Sequence, residues 1–209
     1  MNFDEKAINW DAKLEHTERA QILAAEIRQI IQPNPQMTAF EFGCGTGLLS
    51  FSLKNDFKKI TLGDSSKGMI DVLSKKIQTE NIHNFQPLLI DLTKEENPDL
   101  GGFDVIYTSM TLHHITDINN LMKLFNKLLP TNGYLCIADL DREDGSFHSH
   151  SDNFNGYFGF QRSDIENYYL TNGFEVIYYN IALMMNKIVD SGETKQFPVF
   201  LIVGKKKEN

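Results

Sequence analysis

Residues 39–47 read Ala39-Phe40-Glu41-Phe42-Gly43-Cys44-Gly45-Thr46-Gly47, and the fold turns on how this stretch is read. The apolar run from Met37 to Phe42 feeds into three glycines at alternate positions, and a second apolar segment, Leu48 to Leu53, follows at once. A strand that ends in such a loop and turns into a helix brings backbone N–H groups and a helix N-terminus close to a ligand. Glycine permits that approach because it lacks a Cβ and tolerates positive φ. The dinucleotide fingerprint needs glycine at its first, third and sixth positions, and here the sixth is Leu48. Glu41 precedes the first glycine by two residues, which sets a carboxylate at the mouth of the loop. That charge repels a pyrophosphate and suits a cationic ligand.

Outward from this loop, short β-rich runs alternate with helical segments. Strands are expected at 37–42, 60–64, 85–91, 103–108, 133–140, 174–182 and 197–204, with Met184 to Gln196 joining the last two. Helices are expected at 17–31, 47–55, 67–80 and 117–129, and a further one opens on the capping pair Ser163/Glu166 and ends at Gly173. Pro130-Thr131-Asn132-Gly133 ends the helix at 117–129, whose apolar face carries Ile118, Leu121, Met122, Phe125 and Leu128. Such alternation predicts an α/β chain with a parallel sheet and helices on both faces. Residues 1–209 suffice for one domain, with a helical N-terminal lid over 1–32. The stretch 141–160 is polar, glycine- and aromatic-rich, and reads as a surface loop or lid on the substrate side.

Composition narrows the function. A formal net charge of −8 disfavours a constitutive nucleic-acid binder, which presents a basic face. The one basic cluster, Lys205-Lys206-Lys207, reads as a solvated tail. Cys44 and Cys136 lie far apart and read as reduced packing or loop residues. No apolar signal core occupies residues 1–11, and no window approaches the roughly 20 apolar residues of a membrane span. These features lead us to expect a cytoplasmic protein, monomeric or homodimeric.

The Glu41-to-Gly47 segment resembles the first motif of class I S-adenosylmethionine (SAM)-dependent methyltransferases, whose cofactor carries a positive sulfonium and an amino group. The likeness runs from about Phe3 to Val203 and favours the small-molecule, bacterial type, with its specific motifs in the first half. It implies a Rossmann-like, doubly wound, mostly parallel seven-stranded sheet whose last strand is inserted antiparallel. In an open sheet of this kind ligands bind outside the carboxyl ends of the strands. Gly43, Cys44, Gly45 and Gly47 would then approach the cofactor. Asp64, at the end of the second strand, would accept hydrogen bonds from both ribose hydroxyls, although a helix N-cap explains an Asp there as well. Asp64-Ser65-Ser66-Lys67-Gly68-Met69 resembles the second motif, with Ser65 in the turn and Met69 near the adenine, where core packing is the equal alternative. The resemblance also implies that Asp91 binds the adenine amino group with Leu92 N–H beside it, although an Asp after a strand is also a common turn residue, and that Thr108 and Ser109 approach the methionine part. By the same resemblance Trp10, the single tryptophan, is the candidate aromatic lid, with an ordinary hydrophobic anchor the equal alternative.

Methyl transfer from a sulfonium is an in-line displacement from an activated donor, so the protein chiefly aligns the partners and excludes water. A base is needed only where the acceptor must lose a proton. Of His113, His114, His148 and His150, His114 is the candidate catalytic residue, because the loop after the fourth strand faces the transferred methyl in proteins of this type. His148-Ser149-His150 offers a possible metal half-site but lacks a matched carboxylate pattern, so no metal is expected. Phe154, Tyr157, Phe158 and Phe160 are expected to line one wall of an acceptor pocket, with core packing under a long loop the equal alternative. The resulting expectation is a SAM-dependent methyltransferase acting on a small, partly apolar molecule. The alternatives are a nicotinamide-dependent oxidoreductase, opposed by Leu48 and Glu41, and a non-catalytic subunit that only holds the cofactor.

Overall fold

A computed structural model describes residues 3–94, 99–148 and 154–208. The chain opens with a short helix α1 (Phe3–Lys6), a 3-10 turn (Ala7–Ala12) and a long helix α2 (Leu14–Ile31). Then β1 (Thr38–Phe42), α3 (Leu48–Ser52), β2 (Lys59–Asp64), α4 (Lys67–Thr79) and β3 (Phe85–Leu89) follow in strict alternation. The second half comprises β4 (Val105–Ser109), a 3-10 turn (Leu112–His114), α5 (Ile118–Leu128), β5 (Tyr134–Leu140), α6 (Arg162–Thr171), β6 (Phe174–Ile188) and β7 (Thr194–Lys206).

These strands form one sheet in the order β3-β2-β1-β4-β5-β7-β6. Strands β1 to β5 pair in parallel, and β7 runs antiparallel between β5 and β6. The strand order reverses beside β1, which has β2 on one flank and β4 on the other. The glycine loop after β1 therefore opens at the switch point, where a crevice must form.

Two apolar layers hold helices to the sheet. One joins Leu23 and Ile27 of α2, Leu53 and Leu73 to Leu62, Tyr107 and Leu201. The other joins Phe125 of α5 and Ile165 and Tyr169 of α6 to Phe40, Ile106, Phe200 and Ile202. Consecutive β7 residues thus feed opposite layers, and strands buried on both faces read as near-continuous apolar runs. At the start of α5 the Asp117 side chain accepts the Asn120 N–H at 2.9 Å, satisfying one of the free donors of the first turn.

Several boundaries differ from the sequence expectation; α3 and β3, for example, end earlier, at Ser52 and Leu89. Helix α2 begins at Leu14 behind an extended Lys13 that makes no side-chain cap, so no capping signal marks its start. The final hairpin is longer than expected: Met185↔Phe197, Asn186↔Gln196, Lys187↔Lys195 and Ile188↔Thr194 continue the ladder, leaving 189–193 as the turn. This arm runs past the sheet with an alternating, half-exposed pattern, and its many polar residues disguise it as a loop. The 141–160 stretch is pinned down where described. Arg142 N–H donates to Phe160 O and Tyr157 N–H to His113 O, while Phe147 and Phe160 are buried. His150 lies outside the described residues. Among the described residues no helix is long and apolar enough to cross a membrane.

Candidate functional site

Gly43, Gly45 and Gly47 all adopt left-handed backbone, with φ of +66°, +53° and +83°. A side chain at Gly43 would overlap Thr111, and a Cβ at Gly47 would sit 2.7 Å from Leu73 Cδ1. Gly45 instead faces open space, with Met69 Sδ its nearest neighbour at 3.9 Å. The loop is tied down by Gly43 and Cys44 N–H donating to Gly63 O at 2.8 and 3.1 Å. Above it opens a cavity of about 1000 Å³ at the carboxyl ends of β1, β2, β3 and β4.

Asp64 closes the loop from β2. One carboxylate oxygen accepts Gly45 N–H at 2.7 Å and the other accepts Ser66 N–H at 2.8 Å. The Ser65 N–H also donates to this carboxylate, which lines the cavity. Burial pushes its pKa above the ordinary carboxylate range, against the pull of those N–H donors. The helix N-cap role considered for Asp64 falls instead to Ser66, whose Oγ accepts Met69 N–H.

Glu41 is buried, and its carboxyl accepts the Ser50 hydroxyl, which in turn lies 2.7 Å from Tyr107 OH. Burial raises its pKa to about 8. A carboxyl so placed is neutral near pH 7 and ionises more readily when a positive charge enters the cavity. Asp91 also lines the cavity, but its own turn engages it: Oδ1 accepts from Thr93 N–H and Oγ, and Oδ2 pairs with Lys94 at 2.7 Å.

The N-terminal segment roofs this end. Asp4 accepts the Ser66 hydroxyl at 2.6 Å and Gly68 N–H at 2.8 Å, at the start of α4. Asp11 takes the Thr46 hydroxyl and pairs with Lys76, both at 2.5 Å. Trp10 rests against His16, whose Nδ1 lies 3.1 Å from Trp10 O. Sequence reading missed Asp4 and Asp11, because nothing local distinguishes them from ordinary surface acids.

The opposite end holds imidazoles. His113 is buried, with Nδ1 2.5 Å from Asp139 Oδ1 and its backbone N–H donating to Asp139 Oδ2 at 3.2 Å. His114 and His148 complete a cluster with centroid separations of 4.2, 5.2 and 5.4 Å, and Phe154 stacks on His148 at 3.7 Å. Burial, followed by His113 and His148, lowers the His114 pKa to about 3. So weak a base is poorly matched to abstracting a proton near neutral pH. Arg19, also missed, lies in the wall, nine-tenths covered, with NH1 3.7 Å from Met185 Sδ.

Of the residues singled out from the sequence, Trp10, Glu41, Gly43, Cys44, Gly45, Asp64, Ser65, Met69, Asp91, Leu92, Ser109 and His114 line this one cavity. Gly47 and Thr108 do not. Gly47 supports the loop from beneath, and Thr108 is buried within β4 behind the wall. None of the four aromatics expected to wall the acceptor pocket lines the cavity: Phe154 stacks on His148, exposed Phe158 packs against Phe154, and Tyr157 and Phe160 pack on each other.

Residues 40–135 match the family model described as "Methyltransferase domain". Among curated proteins, an uncharacterized methyltransferase (C1347.09) of Schizosaccharomyces pombe is 34% identical over 118 residues, covering 54% of this chain and 42% of that protein. The chain spans less than half the length of the curated relatives it matches. Among solved structures, the YcgJ protein from Bacillus subtilis superposes with a TM-score of 0.71 at 14% identity, covering 90% of this chain and 99% of that one. Magnesium protoporphyrin IX methyltransferase from Synechocystis PCC 6803, solved with bound SAH, gives 0.68 at 14% identity, covering 92% and 83%. At such identities these two structures share the fold with this chain.

Proposed function

We propose that this chain is a class I S-adenosylmethionine-dependent methyltransferase, and that it transfers the methyl group of SAM to a small, partly apolar acceptor. One observation carries this reading: Glu41, Asp64 and Asp91, from the ends of three neighbouring strands, line a single cavity around the bare turn at Gly45. In it Asp64 receives the ribose hydroxyls. Gly45 lets the backbone approach, and Glu41 ionises against the sulfonium and amino charge. Met69 and Leu92 flank the adenine beside Asp91, whose Lys94 partner is exposed and free to move aside. Trp10, anchored through His16, Asp11 and the loop, shields the cofactor from water, and Ser109 borders the methionine part.

The acceptor end supports an acidic substrate. Arg19, deeply covered beside a thioether with the carboxylates of Glu15 and Asp139 acting on its charge, would be further stabilised by an anionic partner arriving in the cavity. Phe147, Met110, Ile115 and Met185 supply apolar lining for the remainder of the molecule. The test is transfer of labelled methyl from SAM into a metabolite extract, followed by identification of the product. Labelled small carboxylic acids would support the reading, and Arg19→Met should raise KM for them while leaving cofactor affinity intact. An absence of labelled product across a broad acceptor panel would reject it.

A further inference from the structure

The cluster at the acceptor end has a composition that acid–base chemistry does not account for. We propose that His113, His114 and His148 together bind one divalent transition-metal ion. Each offers a ring nitrogen, and the three nitrogens lie within 4.8 Å of one another. Tetrahedral ligands at metal–nitrogen distances of about 2.0–2.1 Å stand roughly 3.4 Å apart, so modest ring movements close the set. The three rings come from two segments, the turn after β4 and the loop after β5, and all three line the cavity.

Asp139 supplies the second half of the argument. Fully buried, it sits at His113 Nδ1, which holds the proton there and leaves Nε2 to ligate. A carboxylate behind an imidazole is the arrangement that orients metal-bound histidines and raises their basicity. The same carboxylate is fixed by Leu140 N–H at 2.7 Å. Phe154, stacked on His148, restrains the third ring. An all-imidazole set selects zinc, iron, copper or nickel over magnesium and calcium, which prefer oxygen. Three protein ligands leave a coordination position toward the cavity, as in sites that bind a substrate directly.

Where the reading of the previous section holds, that open position is the place for an acceptor hydroxyl or phenol. Its proton leaves to water on coordination, and the oxygen lone pair then forms the O–CH3 bond as the S–CH3 bond breaks. The sulfonium becomes a neutral thioether. The sequence had set metal aside because His148 and His150 adjoin no matched carboxylate; folding pairs His148 with two distant histidines and an Asp that spacing could not connect to it.

The test is a titration of the tag-free, chelator-stripped chain with Co2+ followed by its visible d–d absorption, with S-adenosylhomocysteine binding measured on the same samples. The expected result is a band saturating at one Co2+ per chain and abolished by Zn2+. His114→Ala and His148→Ala should each weaken it at least tenfold, Asp139→Asn about tenfold or more, and His83→Ala, on the far surface, not at all. Far-UV circular dichroism establishes that each variant is folded. No saturable band, or a band unaltered in both His114→Ala and His148→Ala, would overturn the proposal. Cobalt binding with the expected variant pattern but no binding of S-adenosylhomocysteine would uphold the metal site and reject the methyltransferase reading.

Discussion

Glu41 is a carboxyl that accepts the neutral Ser50 hydroxyl, which is in turn hydrogen-bonded to Tyr107 OH. Burial lifts its pKa from 4.5 to about 8, so the ligand-free protein holds an extra proton between those values. Stability of the empty protein should accordingly fall as pH rises through that window and level off above it. Cofactor binding follows the opposite slope. A sulfonium favours the ionised carboxylate, so below about pH 8 binding releases a proton, and affinity should climb with pH and then flatten. Calorimetry with SAM in buffers of different ionisation enthalpy measures that proton. Glu41→Gln should remove both the proton release and the slope, and a slope that persisted would place the titrating group elsewhere. At Asp64, replacement by alanine should weaken cofactor binding by about 1–3 kcal/mol, the worth of hydrogen bonds to a charged group. Asp64→Asn separates two roles, because an amide oxygen can still accept Gly45 N–H while offering the ribose one acceptor fewer.

The loop after β1 makes different demands on its glycines. Gly47 combines φ of +83° with a Leu73 methyl where a Cβ would go, so Gly47→Ala should cost about 2 kcal/mol or more. Gly45 has φ of +53° but open space, and Gly45→Ala should cost about 1 kcal/mol in stability while obstructing the cofactor. Thermal unfolding with and without ligand distinguishes the two, and equal stability losses would contradict this division. In the roof, Asp11→Ala frees Thr46 and Lys76 together and should raise amide exchange across residues 7–13 without unfolding the sheet. The elements that β periodicity and glycine punctuation announce were legible in the sequence, and so was the rim where Asp64 and Asp91 stand. The roof was not, since Asp4 and Asp11 act through partners more than thirty residues away. The outer arm of the last hairpin was hidden because its alternation involves polar and half-exposed residues.

Across the whole molecule, the strand order places one crevice beside β1, and the chain fills its two ends differently. Acidic groups and bare backbone gather at the ends of β1, β2 and β3, while imidazoles and Arg19 gather beyond β4 and β5. On the proposed reading, a cationic nucleoside takes one end of the cavity and an acidic acceptor the other. Reading the acidic end required only local motifs with a known strand order. The other end depends on contacts between the 112–114 turn and the 141–160 stretch, which no spacing in the chain reveals. The division into two ends stands or falls on what the acidic end binds. The decisive measurement is a calorimetric titration of the intact chain with S-adenosylhomocysteine, run beside NADH. We predict one saturable site per chain for S-adenosylhomocysteine, weakened in Asp64→Ala, and no saturable heat with NADH. Absent binding of S-adenosylhomocysteine, or tight binding of NADH at the same cavity, would contradict the account.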